Sequence, residues 1–285
     1  MYASRRFKWY MSIQEWVELG GKLQISTTFR GMNIQLFKNT NNPQNLEIGV
    51  YVLHVKKGYE SRAERIQREL SELGISFEYI LDWDKNELNE EQLSRFFAGT
   101  MHSVSAATSC ASKHIESWSK FSKSSHELAL ILEDDIIPDK HFLAFLTQFV
   151  EELIVLNPNL LNPVFISLEN SGLQFVPAHQ LEKNKFLYPV TDTRCAGAYL
   201  INRSASELLL HTLESYKMDE PVDWWLKRLA ERHILPVFWS HPTIAEQGSH
   251  NGQYASSIDH KTEGVFRKFS WILKRFYKNT LNSFR

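Results

Sequence analysis

The chain has 285 residues, a formal net charge of −1, 43% hydrophobic and 23% charged residues, the make-up of a globular protein with one large α/β domain or two small ones. So even a charge balance provides no global field for nucleic acid, and no apolar run approaches the roughly 20 residues that cross a bilayer. The 12 glycines and 9 prolines leave no long low-complexity linker.

Residues 1–45 read as an N-terminal appendage. They are polar and aromatic, with one short helix expected around Ile13–Leu19, and end in the loop signal Asn39-Thr-Asn-Asn-Pro-Gln-Asn45. No apolar stretch follows the basic start, so no secretory signal is expected. The main domain spans 46–260. Ile48–Val55 is a strand, Ser61–Leu73 a helix by its spacing of Ile66, Leu70 and Leu73, and Gly74 its stop. Ile75–Leu81 returns to strand, which makes a βαβ unit. Helices follow at Leu88–Phe97 and Ser105–Phe121, the second with Ala106, Cys110, His114 and Trp118 on one stripe. A strand from Ala129, a helix over His141–Leu153, strands at Val164–Leu168, Phe186–Val190 and Ala196–Ile201, helices at Arg203–Leu213 and Val222–Arg232, and a strand at Leu235–Trp239 complete the order, with a loop through Tyr254. Cys110 and Cys195 have neither CxxC nor zinc spacing and read as reduced thiols of a cytosolic protein.

The informative stretch is Ala129-Leu-Ile-Leu-Glu133-Asp134-Asp135. A buried strand accounts for the apolar run. It does not account for three consecutive acids, which repel one another and are costly to take out of water unless a cation compensates. Oxygen ligands at a strand's carboxyl end suit Mg²⁺ or Mn²⁺, and such an ion also holds substrate phosphates. That reading predicts an enzyme acting on a nucleotide diphosphate. The competing reading is a solvated acidic turn.

Several segments in one order carry a resemblance. They are Val50-Tyr-Val-Leu-His-Val55 with Glu60-Ser-Arg62-Ala-Glu-Arg65, Gly74-Ile-Ser-Phe-Glu78, Cys110-Ala-Ser-Lys-His114-Ile-Glu-Ser-Trp118, the acidic stretch, Ala196-Gly-Ala-Tyr-Leu-Ile201 with Ala205 and Leu208–Leu210, Pro221-Val-Asp223, and Pro242-Thr-Ile-Ala-Glu-Gln247 with Ser256-Ser-Ile258. Together, over about residues 47–260, they resemble glycosyltransferase family 25, the bacterial lipopolysaccharide and lipooligosaccharide glycosyltransferases. His54 and Lys113 depart from the family pattern, which has a small polar residue and a serine there. The resemblance implies a GT-A-like, Rossmann-type mixed α/β sheet flanked by helices, which binds a sugar nucleotide beyond the carboxyl ends of its strands. It also implies inverting transfer of a hexose, galactose or glucose, from a UDP-sugar to a lipooligosaccharide or lipopolysaccharide sugar.

With that resemblance, Glu133 and Asp135 become the expected metal ligands, side by side if the chain stays extended, and Asp134 holds ribose or reaches the metal through water. Arg62 is assigned to the donor, since its fork suits phosphate; Arg65 reads as surface. His114 is a core histidine or orients the donor loop. Asp223 is a helix cap or the base that takes the acceptor proton, with Asp192 and Glu246 as rivals. His241 would complete the metal shell, and Gln247 would touch donor or acceptor. Residues 261–285 form a basic, aromatic, amphipathic tail suited to an anionic membrane face, which places the protein in the cytoplasm or at the inner membrane's inner surface. Two other readings compete: a nucleotidyltransferase, disfavoured by the single glycine in His54-Val-Lys-Lys-Gly-Tyr59, and an inactive sugar-binding scaffold, disfavoured by the intact acids.

Overall fold

A computed structural model describes residues 23–28, 31–36, 44–251, 254 and 265–282. The expected helix at Ile13–Leu19 lies outside them. The strands are β1 (Leu23–Thr28), β2 (Gly31–Leu36), β3 (Gln44–Leu53), β4 (Glu78–Ile80), β5 (Leu128–Glu133), β6 (Ile136–Pro138), β7 (Phe165–Ser167), β8 (Leu187–Val190), β9 (Ala198–Asn202), β10 (Val237–Ser240) and β11 (Ala245–Gln247). The helices are α1 (Glu60–Glu72), α2 (Glu90–Phe96), α3 (Ala106–Ser122), α4 (Phe142–Leu156), α5 (Arg203–Ser215), α6 (Val222–Glu231), α7 (Gly248–Asn251) and α8 (Val265–Asn282).

The strands build one nine-stranded mixed sheet in the order β1-β2-β3-β5-β9-β7-β10-β8, with β4 also on β3. Pairing is parallel for β3 with β4 and β5, and for β7 with β10. β9 runs antiparallel between β5 and β7. The appendage is not separate from this sheet: β2 pairs antiparallel with the first half of β3, and β1 with β2.

β5 is the hub. A strand covered on both faces reads as a continuous apolar run, and its alternating side chains feed two cores. Leu128, Leu130 and Leu132 pack with Ile66 and Leu70 of α1 and Phe142, Leu146 and Phe149 of α4. Ala129 and Ile131 pack with Trp118 and Phe121 of α3, Leu209 and Leu213 of α5, and Trp225 and Leu226 of α6. Glu133 continues the second set, so its side chain emerges on the α3 side. The parallel register sets Leu53 beside Glu133. The carboxyl ends of β3 and β5 therefore open into one crevice.

Local signals read from sequence have visible causes. Gly74 has φ +68° and ends α1, with the Ile75 N–H reaching the Leu70 carbonyl at 2.8 Å. Ser105 caps α3 by accepting the Thr108 N–H at 3.0 Å. Two expectations need correcting. Asp134 and Asp135 lie in a turn between β5 and β6 rather than in extended chain. The expected loop up to Tyr254 contains β11 and α7; β11 pairs antiparallel with β6, setting Gln247 opposite Ile136. That pairing folds the closing segment over the acids.

Candidate active site

The crevice holds a cavity of about 790 Å³. Its wall comes from the end of β3 (His54, Lys56, Lys57), the start of α1 (Tyr59, Arg62), the loop at Asp84–Glu87, the first turns of α3 (Ser109, Cys110, Lys113), all three acids and Ser249. Those acids do not face bulk solvent. Asp134 and Asp135 are buried and Glu133 is partly buried.

Because the chain turns after Glu133, the three carboxylates find different partners. Glu133 accepts from Gln247 Nε2 at 2.9 Å and from Cys110 Sγ at 3.7 Å, with His114 Nε2 at 3.5 Å. Burial works against its charge. The hydrogen bond and charge of His114, the charge of His250 and the Gln247 amide outweigh that, and its pKa is lowered. Asp134 meets His54 Nδ1 at 2.6 Å and Arg62 Nη1 at 3.3 Å. The Asp135 carboxylate accepts the Ser249 N–H at 2.9 Å, and its main-chain oxygen accepts the Gly248 N–H at 2.9 Å. Burial and then the nearby Glu133 charge push the Asp135 pKa up to about 6.

Arg65 is not at the surface. It is 6% exposed and donates to the main-chain oxygens of Asp134 and Ile136, each at 2.8 Å. The guanidinium thus closes the acidic turn from behind, a use of arginine's rigid fork. Lys113 has a similar anchoring role. Its ammonium reaches Asp84 Oδ1 at 2.7 Å and the carbonyls of Leu81 and Asp82 at 2.9 Å each, tying the far wall of the cavity to α3.

The carboxylates of the acidic turn are the ligand type that hard divalent cations take. Asp135 Oδ1 is buried with no hydrogen-bond partner among the described residues. Such an oxygen is costly unless something electropositive meets it, and carboxylates are ligands of choice for Mg²⁺ and Mn²⁺. A second histidine whose charge acts on Glu133 is His250, in α7. His241 keeps other company. Its ring meets the Tyr188 edge-on at 6.2 Å, and burial with the Arg194 charge lowers its pKa to about 4. No contact among the described residues joins it to the acids, and a neighbouring guanidinium disfavours a second cation there.

The remaining candidates divide. Gln247 touches Glu133 directly. His114 is fully buried behind Glu133, its Nδ1 at 2.8 Å from the Tyr199 hydroxyl, so it supports the wall rather than lining it. Asp223, in the first turn of α6, lies close enough to Cys110 and Cys195 for its charge to act on both, and burial followed by the Glu133 charge raises its pKa. Asp192 accepts from Gln174 Nε2 at 2.9 Å and Lys227 Nζ at 3.1 Å. Glu246 alternates with Gln247 on β11 and pairs with Arg275 of α8.

Sequence reading gave no site role to His54, Glu169 or Arg194. His54 had a signal, an imidazole where a small residue is usual. Glu169 and Arg194 had none. Both are buried, and burial sets the Glu169 pKa at about 8 and that of Arg194 at about 9.

Residues 48–226 match the sequence model of glycosyltransferase family 25, described as LPS biosynthesis protein. A search of curated proteins finds no match. The match takes in most of β3, the acidic turn and the first turns of α3, which build much of the cavity wall, and it extends past Asp223. With well over half of its length matched, the chain belongs to glycosyltransferase family 25, the glycosyltransferases of lipopolysaccharide biosynthesis.

Proposed function

We propose that this protein moves a hexose, galactose or glucose, from a UDP-sugar to a sugar of a lipooligosaccharide or lipopolysaccharide acceptor, with inversion and with Mn²⁺ or Mg²⁺ at the acidic turn. The observation that carries this reading is the unpartnered, buried Asp135 oxygen at the wall of a cavity flanked by cationic side chains. Glu133 and Asp135 would hold the cation, in a place where the charge of His250 also acts on Glu133. When bound, the cation neutralises the diphosphate leaving group.

The chain's own groups supply the rest. Lys56, Lys57 and Arg62 line the cavity and offer positive charge to phosphates. Asp134, fixed between His54 and Arg62, presents a carboxylate edge to a ribose hydroxyl. Asp223 takes the proton of the acceptor hydroxyl as that oxygen attacks the anomeric carbon, and burial, which raises its pKa, makes it a stronger base than an exposed carboxylate. The direct check is UDP release over a panel of UDP-sugars with and without EDTA. UDP should appear with one hexose donor and an acceptor glycan, and stop on chelation; release that persists in EDTA removes the cation from the reading.

The tail supports a location at the cytoplasmic face of the membrane. No described helix is long and apolar enough to cross a membrane. On α8, Ile272, Leu273, Phe276, Tyr277 and Leu281 are exposed, while Arg275 turns back to Glu246. The helix therefore presents apolar side chains outward amid Lys274 and Lys278, a composition that favours anionic lipid. Removing residues 265–285 should abolish flotation with anionic vesicles and leave UDP release from a soluble acceptor intact. Unchanged flotation would remove the membrane contact.

A further inference from the structure

Glu169 lies just beyond β7 with no exposed surface and takes no part in the chemistry above. Its Oε1 accepts the N–H groups of Gly197 at 2.5 Å and Ala198 at 3.1 Å, where β9 begins. Its Oε2 accepts the Ser171 hydroxyl. Two chains of hydrogen bonds run from this carboxyl to Glu133. In the first, Gly197 is gripped through its N–H, and its carbonyl accepts the Glu133 N–H at 2.8 Å. In the second, Ser171 Oγ accepts the Gln247 N–H at 3.0 Å, and Gln247 Nε2 donates to Glu133 Oε2 at 2.9 Å. The two chains also touch each other. A Cβ on Gly197 would come within 2.5 Å of Gln247 Cδ, so the Gln247 amide lies flat on that glycine.

We propose that Glu169 is a positioning residue for Glu133, fixing its main chain through Gly197 and its carboxylate through Ser171 and Gln247, and so setting the direction in which Glu133 meets the cation. The inference rests on the reading of Glu133 as a cation ligand. Partners one step behind a ligand hold its lone pairs in line and affect metal affinity strongly. Burial raises the Glu169 pKa to about 8; in the protonated form Oε2 donates to Ser171 Oγ instead of accepting from it, the contact is kept, and the frame adds little further negative charge behind the acids near neutrality.

The test measures Mn²⁺ binding directly, by calorimetry and by the loss of free-ion electron paramagnetic resonance signal, with and without UDP. Melting temperature serves as the check on folding. Glu169→Leu, Ser171→Ala and Gly197→Ala should each weaken Mn²⁺ binding on the order of tenfold. Glu169→Gln should bind as wild type, because its amide oxygen accepts the same two N–H groups and its amide N–H reaches Ser171. If Glu169→Leu does not fold, the Ser171 and Gly197 variants carry the result. Wild-type affinity in both of those overturns the inference, as does a Glu169→Gln variant as weak as the leucine. A wild-type protein that binds no Mn²⁺ overturns the cation reading and this inference together; wild-type binding with unchanged variants overturns this inference alone.

Discussion

Asp135→Asn should lose turnover and gain stability in the metal-free protein. The substitution keeps the shape and the oxygen that accepts the Ser249 N–H, and removes the charge. A cation stabilising the leaving group contributes several kcal/mol to the transition state, so UDP release should fall by roughly two to three orders of magnitude. The stability gain has a definite sign. Asp135 has its pKa raised from 3.8 to about 6 by folding, so the folded state binds its proton more tightly than the unfolded chain. Stability therefore falls as pH rises between those two values and stays lower above them, by about 3 kcal/mol near neutrality. The asparagine variant escapes that loss. Melts in EDTA from pH 4 to 8 should show the variant above wild type near pH 7, with the two converging at pH 4. Normal turnover in a folded variant would sink the metal assignment.

Asp223→Asn should reduce kcat by roughly 10²–10⁴, the usual contribution of a positioned general base. Binding of UDP with Mn²⁺ should not change, because Asp223 is assigned to the acceptor. Stabilisation by UDP and Mn²⁺ in a thermal melt reports that binding by mass action. The acidic limb of the kcat profile should disappear as well, since the group that must lose its proton is gone. A variant within a few-fold of wild type would move the base role to Asp192 or Glu246. Both stand in salt bridges, to Lys227 and Arg275, and so are less free to accept a proton.

Elements with a strong repeating pattern were readable from the chain. The apolar run of β5 ends at acids because the sheet ends there, and the α3 stripe, Gly74 and Asp223 each follow a local rule. The fold gathers Glu133, Asp134, Asp135, Arg62 and Gln247 at one place, while His241, Asp192 and Glu246 find other partners in Tyr188, Lys227 and Arg275. The rest had no local signal. β6 and β11 are three residues each and far apart in sequence, too short for periodicity to show. β1 and β2, in Leu-Gln-Ile-Ser-Thr-Thr and Gly-Met-Asn-Ile-Gln-Leu, alternate weakly, and no strand is expected there from sequence. Arg65, Glu169 and Arg194 are charged types that are rarely buried. Only the three-dimensional neighbours, main-chain oxygens for the arginines and main-chain N–H groups for the glutamate, make their burial tolerable.

Lys113 has a consequence for how the protein meets a ligand. One ammonium ties three oxygens of the 81–84 segment to a helix that is itself locked into the core by Trp118. The far bank of the crevice is therefore frozen when the chain folds. An incoming ligand has no segment to immobilise there, and what would otherwise be spent as lost motion remains available as affinity.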